Sequence, residues 1–134
     1  MRKIEHLGIA VRNIEESRQV YEKLLNAPCY KLEEVKSEGV NTAFFQIGES
    51  KIELLEATKD DSPIAKFIEK RGPGIHHIAF DVDDIEAEIK RLKSEGFTMI
   101  HEIAKDGADN KRIAFLHPKS TDGILVELCM DRKD

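Results

Sequence analysis

The segment Glu5-His-Leu-Gly-Ile-Ala-Val-Arg-Asn-Ile-Glu15 returns 71 residues later as His76-His-Ile-Ala-Phe-Asp-Val-Asp-Asp-Ile-Glu86. His6, Val11, Ile14 and Glu15 fall on His77, Val82, Ile85 and Glu86. Internal repetition takes precedence over reading elements one at a time, because each copy is one supersecondary unit whose fold must be the same. Outward from each copy the pattern changes from alternation to a helical period. Ile14, Val20, Tyr21, Leu24 and Leu25 follow the first copy, and Ile85, Ile89 and Leu92 follow the second. Each half also closes alike. Ser50-Lys-Ile-Glu-Leu-Leu-Glu56 ends the first and Ile124-Leu-Val-Glu-Leu-Cys-Met130 the second, setting Glu53 on Glu127 at an offset of 74.

Between these anchors, residues 29–36, 41–47, 97–102 and 112–117 read as strands, with turn signals at Glu38-Gly39, Gly48-Glu49, Asp106-Gly107 and Asp122-Gly123. Each half is therefore βαβββ. The class is α+β, with pseudo-repeats over about 1–60 and 72–134 in one domain spanning 1–134. A linking helix over 63–71 has Ser62 as N-cap, Pro63 at its first position and Gly72 just past its end. Asp83 or Asp84 opens a helix over 85–95, and Gly96 closes it.

The chain has 134 residues, 40% hydrophobic and 35% charged, enough for a core under a well-solvated surface and unlike a disordered chain. Its net charge of −5 is dispersed, which excludes duplex nucleic acid as an expected partner. Lys105, Lys111, Arg112 and Lys119 form a basic cluster suited to one small anionic ligand. Met1-Arg-Lys-Ile-Glu-His6 lacks the apolar run of about 7–15 residues of a signal peptide, and no stretch approaches the roughly 20 apolar residues of a membrane span. The expected location is the cytoplasm. Cys29 and Cys129 lack CxxC spacing and read as small apolar residues.

Strand alternation assigns faces. His6 shares a side with Gly8 and Ala10, opposite Leu7, Ile9 and Val11; His77 shares one with Ala79 and Asp81, opposite Ile78, Phe80 and Val82. Glu53 opposes Ile52 and Leu54, and Glu127 opposes Val126 and Leu128. A carboxylate within such a strand is costly to bury unless it is paired or binds a cation. One histidine or one glutamate alone would be read as structural. Their recurrence at corresponding positions points to His6, Glu53, His77 and Glu127 as the ligands of one metal ion. Nitrogen and hard oxygen donors without sulfur suit Co²⁺, Mn²⁺, Ni²⁺, Zn²⁺ or Fe²⁺. Four ligands on a six-coordinate ion leave two positions for a substrate with adjacent oxygens. His76 points to the other face, and His101 and His117 lie outside the pattern, His117 towards the rim.

These residues resemble the vicinal oxygen chelate superfamily, and within it the methylmalonyl-CoA epimerase family. The resemblance runs nearly end to end, through His6-Leu-Gly-Ile-Ala-Val, Ile52-Glu-Leu-Leu-Glu, Asp61-Ser-Pro-Ile-Ala-Lys-Phe-Ile-Glu-Lys-Arg-Gly, Gly74-Ile-His-His-Ile-Ala, Arg112-Ile-Ala-Phe-Leu-His-Pro-Lys and Gly123-Ile-Leu-Val-Glu-Leu. It implies two βαβββ modules forming a cupped mixed sheet around a metal site, a homodimer, and a divalent ion, foremost Co²⁺, with Mn²⁺, Ni²⁺ or Zn²⁺ as alternatives. The implied reaction interconverts (2R)- and (2S)-methylmalonyl-CoA by metal-assisted removal of the C2 proton through an enolate, with acid/base groups on both faces.

Metal ligation carries over to His6, His77 and Glu127. The fourth ligand position is often glutamine in this family and is Glu53 here. Glu127 is the acid/base candidate on one face; the other is Glu53, Glu34 or a water. Where some members carry a catalytic glutamate after the Gly-Val turn, aligning Gly39-Val40 puts Thr42, which is no base near neutral pH. Lys111, Arg112 and Lys119 are candidate contacts for the CoA phosphates. The competing readings are a lactoylglutathione lyase, kept open by Glu53, a non-catalytic small-molecule-binding module, and an Fe²⁺ dioxygenase.

Overall fold

The computed structural model describes residues 1–132. Two units are distinguished: His6–His76, and Met1–Glu5 with the chain from His77 onward. Strand β1 (Lys3–Ala10), which belongs to the first unit from His6 onward, leads into helix α1 (Ile14–Leu25). Asn13 caps α1 by accepting from Glu16 N, Glu15 and Glu16 sit in its positive first turn, and Asn26 ends it in the left-handed region at φ 52°. Strands β2 (Lys31–Val35), β3 (Val40–Ile47) and β4 (Ser50–Ala57) follow, then helix α2 (Pro63–Arg71). The strand order in this unit is β2-β3-β4-β1, with β1 parallel to β4 and the other pairs antiparallel.

One face of these strands buries Ala43, Phe45 and Leu54 against Ile14, Tyr21 and Leu25 of α1. Val20 and Leu24, which continue the helical pattern in the sequence, are exposed, so the inward stripe of α1 is narrower than its apolar content. On the other face α2 covers one end, packing Ile64, Phe67 and Ile68 on Ala10, Val40 and Leu55. The α2 signals hold as read: Ser62 accepts from Ala65 N, Pro63 starts the helix, and Gly72 ends it at φ 77°.

The second unit contains β5 (Gly74–Asp81), α3 (Ile85–Ser94), β6 (Lys105–Gly107), β7 (Lys111–Leu116) and β8 (Val126–Asp131), in the order β5-β8-β7-β6 with β5 parallel to β8. Asp84 is the N-cap of α3. Ile85, Ile89 and Leu92 bury the helix on Val82, Ala114, Leu116 and Leu128.

The outer strand of this unit is a correction. Residues 97–102 make only a single bridge, Met99 to Leu116, and the paired strand is Lys105–Gly107. The turn lies at Asp109 and Asn110, both at positive φ, and not at Asp106-Gly107. Gly107 misleads because it is needed for close approach: a Cβ there would meet Ile113 Cγ2 at 2.8 Å.

Candidate metal and acid/base site

The β1–β4 register pairs His6 with Lys51, Gly8 with Glu53 and Ala10 with Leu55. Glu53 therefore stands opposite a glycine, with His6 two residues away on the same face. His6 Nδ1 lies 3.1 Å from Glu53 Oε2, both side chains buried. Across the next pair of strands Phe44 faces Glu53.

The other unit repeats this construction. The β5–β8 register sets Ala79 opposite Glu127, with His77 two residues before Ala79. His77 Nε2 lies 3.0 Å from Glu127 Oε1, again both buried. Phe115 faces Glu127 from β7, and its ring meets His77 edge-on at 5.5 Å. His101 fixes Phe115 from behind, its Nδ1 accepting from Phe115 N at 3.1 Å.

The four expected ligands thus form two His–carboxylate pairs, one within each unit. A contact of this length is that of an imidazole N–H donating to a carboxylate oxygen, and equally that of two ligand atoms turned to one cation. Two ligands at ~2.1 Å from one ion and at right angles would lie ~3 Å apart, which is the spacing each pair shows. The donor chemistry fits a divalent ion.

The basic candidates separate. Lys111 Nζ lies 3.6 Å from buried Glu5 and also pairs with Asp131, so its charge is committed inside the unit. Arg112 pairs with Met130 in the ladder, on the α3 side opposite Glu127, and donates to Glu86 and to Ala104 O. Lys119 is exposed beside the short 3₁₀ turn Pro118–Ser120.

Thr42 is 1% exposed, and its Oγ1 is buried without a hydrogen-bond partner. Glu34 pairs with Asn41 and is exposed on the face away from Thr42, which removes it as an acid/base candidate; Glu33 is the residue directly across from Thr42. His117 is exposed, and its Nδ1 accepts from Lys119 N. His76 is structural as expected, packed edge-on to Phe67 of α2 at 5.1 Å.

Three features escape a reading by motif. Phe44 and Phe115 flank the paired glutamates, and the signal was present, since Ala43-Phe44 recurs as Ala114-Phe115 at the same offset of 71. Glu33 becomes visible only from the β2–β3 register. Glu5, 2% exposed and held by Lys111 and Cys129, left no pattern because it stands next to the more conspicuous His6.

Residues 5–115 match the family model of the glyoxalase/bleomycin resistance protein/dioxygenase superfamily. The chain belongs to that superfamily, which confirms the α+β class of paired βαβββ modules. Among curated relatives it is 40% identical to the uncharacterized protein YqjC of Bacillus subtilis, over all of this chain and 96% of that one. It is 41% identical to the mitochondrial methylmalonyl-CoA epimerase of Dictyostelium discoideum, over 94% of this chain and 76% of that protein. The solved Streptomyces coelicolor methylmalonyl-CoA epimerase with 2-nitronate-propionyl-CoA superposes with a TM-score of 0.94 and 31% identity, covering 98% of this chain and 95% of that one. Within the superfamily, the chain belongs to the methylmalonyl-CoA epimerase family.

Proposed function

We propose that this protein epimerises methylmalonyl-CoA at C2. The observation that carries the reading is the buried His–Glu pair that recurs in both units, His6 with Glu53 and His77 with Glu127. The four side chains would hold one divalent ion, foremost Co²⁺, with Mn²⁺, Ni²⁺ or Zn²⁺ as alternatives. When bound, the ion supplies Lewis-acid stabilisation of negative charge on the substrate's thioester and carboxylate oxygens.

The chain's own residues do the rest. Glu127 moves the C2 proton on one face, its carboxylate walled by Phe115, which keeps water from the reacting carbon. Glu53 completes the ligand set and adds a negative charge where glutamine would add none. Thr42 lies on the Glu53 face of the first unit and would meet the substrate there. Lys111, Arg112 and Lys119 are the cations that would meet the CoA phosphates, and of these Lys119 is exposed. We assign the protein to the cytoplasm as a homodimer. Among the described residues no helix is long and apolar enough to cross a membrane.

The test is solvent deuterium incorporation at C2 of methylmalonyl-CoA, by mass spectrometry in D₂O, with the protein chelated and after return of Co²⁺. Exchange that disappears on chelation, returns with Co²⁺ and is lost in His77→Ala supports the reading. No exchange above background in the metal-loaded protein overturns it, and turnover of the methylglyoxal–glutathione hemithioacetal would then identify a lyase.

A further inference from the structure

His77 and Glu127 share one neighbour on the adjacent strand. Phe115 of β7 is the ladder partner of Glu127, and its ring meets the His77 imidazole at 5.5 Å with the two planes at 84°. We infer that His101 is a positioning residue for this pair, holding Phe115 where its ring fixes the plane of the His77 imidazole. The inference rests on the epimerase reading above, which makes that imidazole a ligand and Glu127 an acid/base group.

The need for such a residue follows from where β6 ends. Its ladder covers β7 at Lys111, Arg112 and Ile113, so Phe115 stands two residues past the last pair. A backbone N–H or C=O shut off from water without a partner is costly. The segment between α3 and β6 supplies both partners along the outer edge of β7. Ile100 N and His101 N donate to Phe115 O at 2.8 and 3.3 Å, and Phe115 N donates to His101 Nδ1 at 3.1 Å. With both backbone groups turned to that edge, Phe115 and Glu127 are a non-hydrogen-bonded pair of the β7–β8 ladder, the kind whose Cα atoms approach to about 4.5 Å. The Phe115 ring packs on Ala79, Ile113 and Cys129 on one side, and the His101 ring stands 5.7 Å from it on another. Because Nδ1 accepts, the imidazole proton of His101 sits on Nε2. His101 thus acts on Phe115 through one backbone bond and one ring contact.

The first unit repeats the arrangement. Tyr30 precedes His101, and Phe44 precedes Phe115, by the same 71 residues. Tyr30 N donates to Phe44 O at 2.9 Å, the two rings lie 5.8 Å apart, and Phe44 faces Glu53. An aromatic ring hooked behind the phenylalanine that faces the glutamate is therefore part of the duplicated construction. In the second unit the side chain joins the hold, through Nδ1 of His101. Reacting and ligating groups work only when neighbours keep them within about 0.5 Å and 10–20° of the productive geometry. Releasing Phe115 lets the His77 ring turn, which slows turnover and leaves substrate affinity nearly as it was.

The experiment reads the His77 ring by ¹H–¹³C NMR of metal-free protein labelled in its histidines, with His77→Gln identifying the signals. Turnover is measured separately on Co²⁺-loaded protein, per folded molecule as determined by urea denaturation. In Phe115→Leu and His101→Ala the His77 signals leave their wild-type positions, and kcat falls by ~10-fold or more with KM within about twofold of wild type. His101→Phe, which keeps a ring and lacks the acceptor, behaves as His101→Ala does. His101→Asn places an acceptor oxygen where Nδ1 stood and restores both the signals and kcat. Wild-type His77 signals in His101→Ala and His101→Phe, or a loss of kcat that His101→Asn does not recover, overturn the positioning role and leave the epimerase reading standing. A wild type without exchange at C2 overturns the epimerase reading, and the His77 signals then decide the role of His101 by themselves.

Discussion

His6 reaches Glu53 on a diagonal: its own ladder partner is Lys51, and Glu53 is paired with Gly8, yet Nδ1 and Oε2 stand 3.1 Å apart. In the other unit Ala79 takes the place of Gly8 across from Glu127, and His77 reaches that carboxylate through Nε2 at 3.0 Å.

Removing a donor should therefore weaken ion binding more than disturbing a supporting residue does, which typically costs about 10–100-fold. His77→Ala is expected to lose more than about 100-fold in Co²⁺ affinity by calorimetric titration. Unchanged affinity would show that the pair does not bind the ion.

Ion binding should also raise the thermal midpoint. At a free ion concentration of ~100 times the dissociation constant the stabilisation is about 2.7 kcal/mol, reversed by chelator. A thermal scan with and without Co²⁺ checks this, and no shift in the wild type would count against a site formed only in the folded chain.

Lys111 should matter for folding. Its ammonium lies 3.6 Å from a Glu5 carboxylate that is almost wholly buried. Lys111→Met leaves that charge uncompensated, at a cost of about 3–5 kcal/mol, read by urea denaturation. A stable variant with a raised KM would instead make Lys111 a phosphate contact alone.

Glu88 tests the sign of one local pH effect. Its hydrogen bond from Arg91 holds its carboxyl below the ordinary glutamate value. The pair's stabilisation is thus fully present above the unfolded pKa of about 4.3 and is lost as pH falls through the lower folded value. Both groups are near solvent, so Glu88→Gln should lower stability by only about 0.3–0.5 kcal/mol at pH 7. The difference from wild type should vanish below about pH 3; denaturant curves at the two pH values decide it.

Ser62 should contribute as a cap. Its Oγ accepts from Ala65 N at the start of the helix that covers Val40 and Leu55. Ser62→Ala is expected to cost about 1 kcal/mol in chemical unfolding, and a neutral substitution would remove the cap from the account of α2.

The repeat made both the βαβββ halves and the two His–Glu pairs legible, because residues that recur at corresponding positions stand out from those that occur once. The signals for α2 were equally plain, since Ser62, Pro63 and Gly72 each act within one turn of the backbone. What stayed hidden depends on registers and partners between distant residues. Gly107 looks like a turn residue until Ile113 is known to press on it. Glu34 looks as available as Glu33 until β2 is paired with β3, when a one-residue difference sends the two side chains to opposite faces. Arg112 and Lys111 look alike in a basic run, yet one faces α3 and the other lies beside Glu5.

Glu53 and Glu127 each stand across from a small residue of the facing strand, Gly8 in one unit and Ala79 in the other. Such duplication lets one half drift while its twin keeps its chemistry. Exchanging Glu53 for glutamine would change the charge of the first pair by one unit and leave the β5–β8 register as it is. A duplicated ancestor could in this way retune the acidity of its bound substrate by single substitutions, with the fold of the second copy as an unchanged reference.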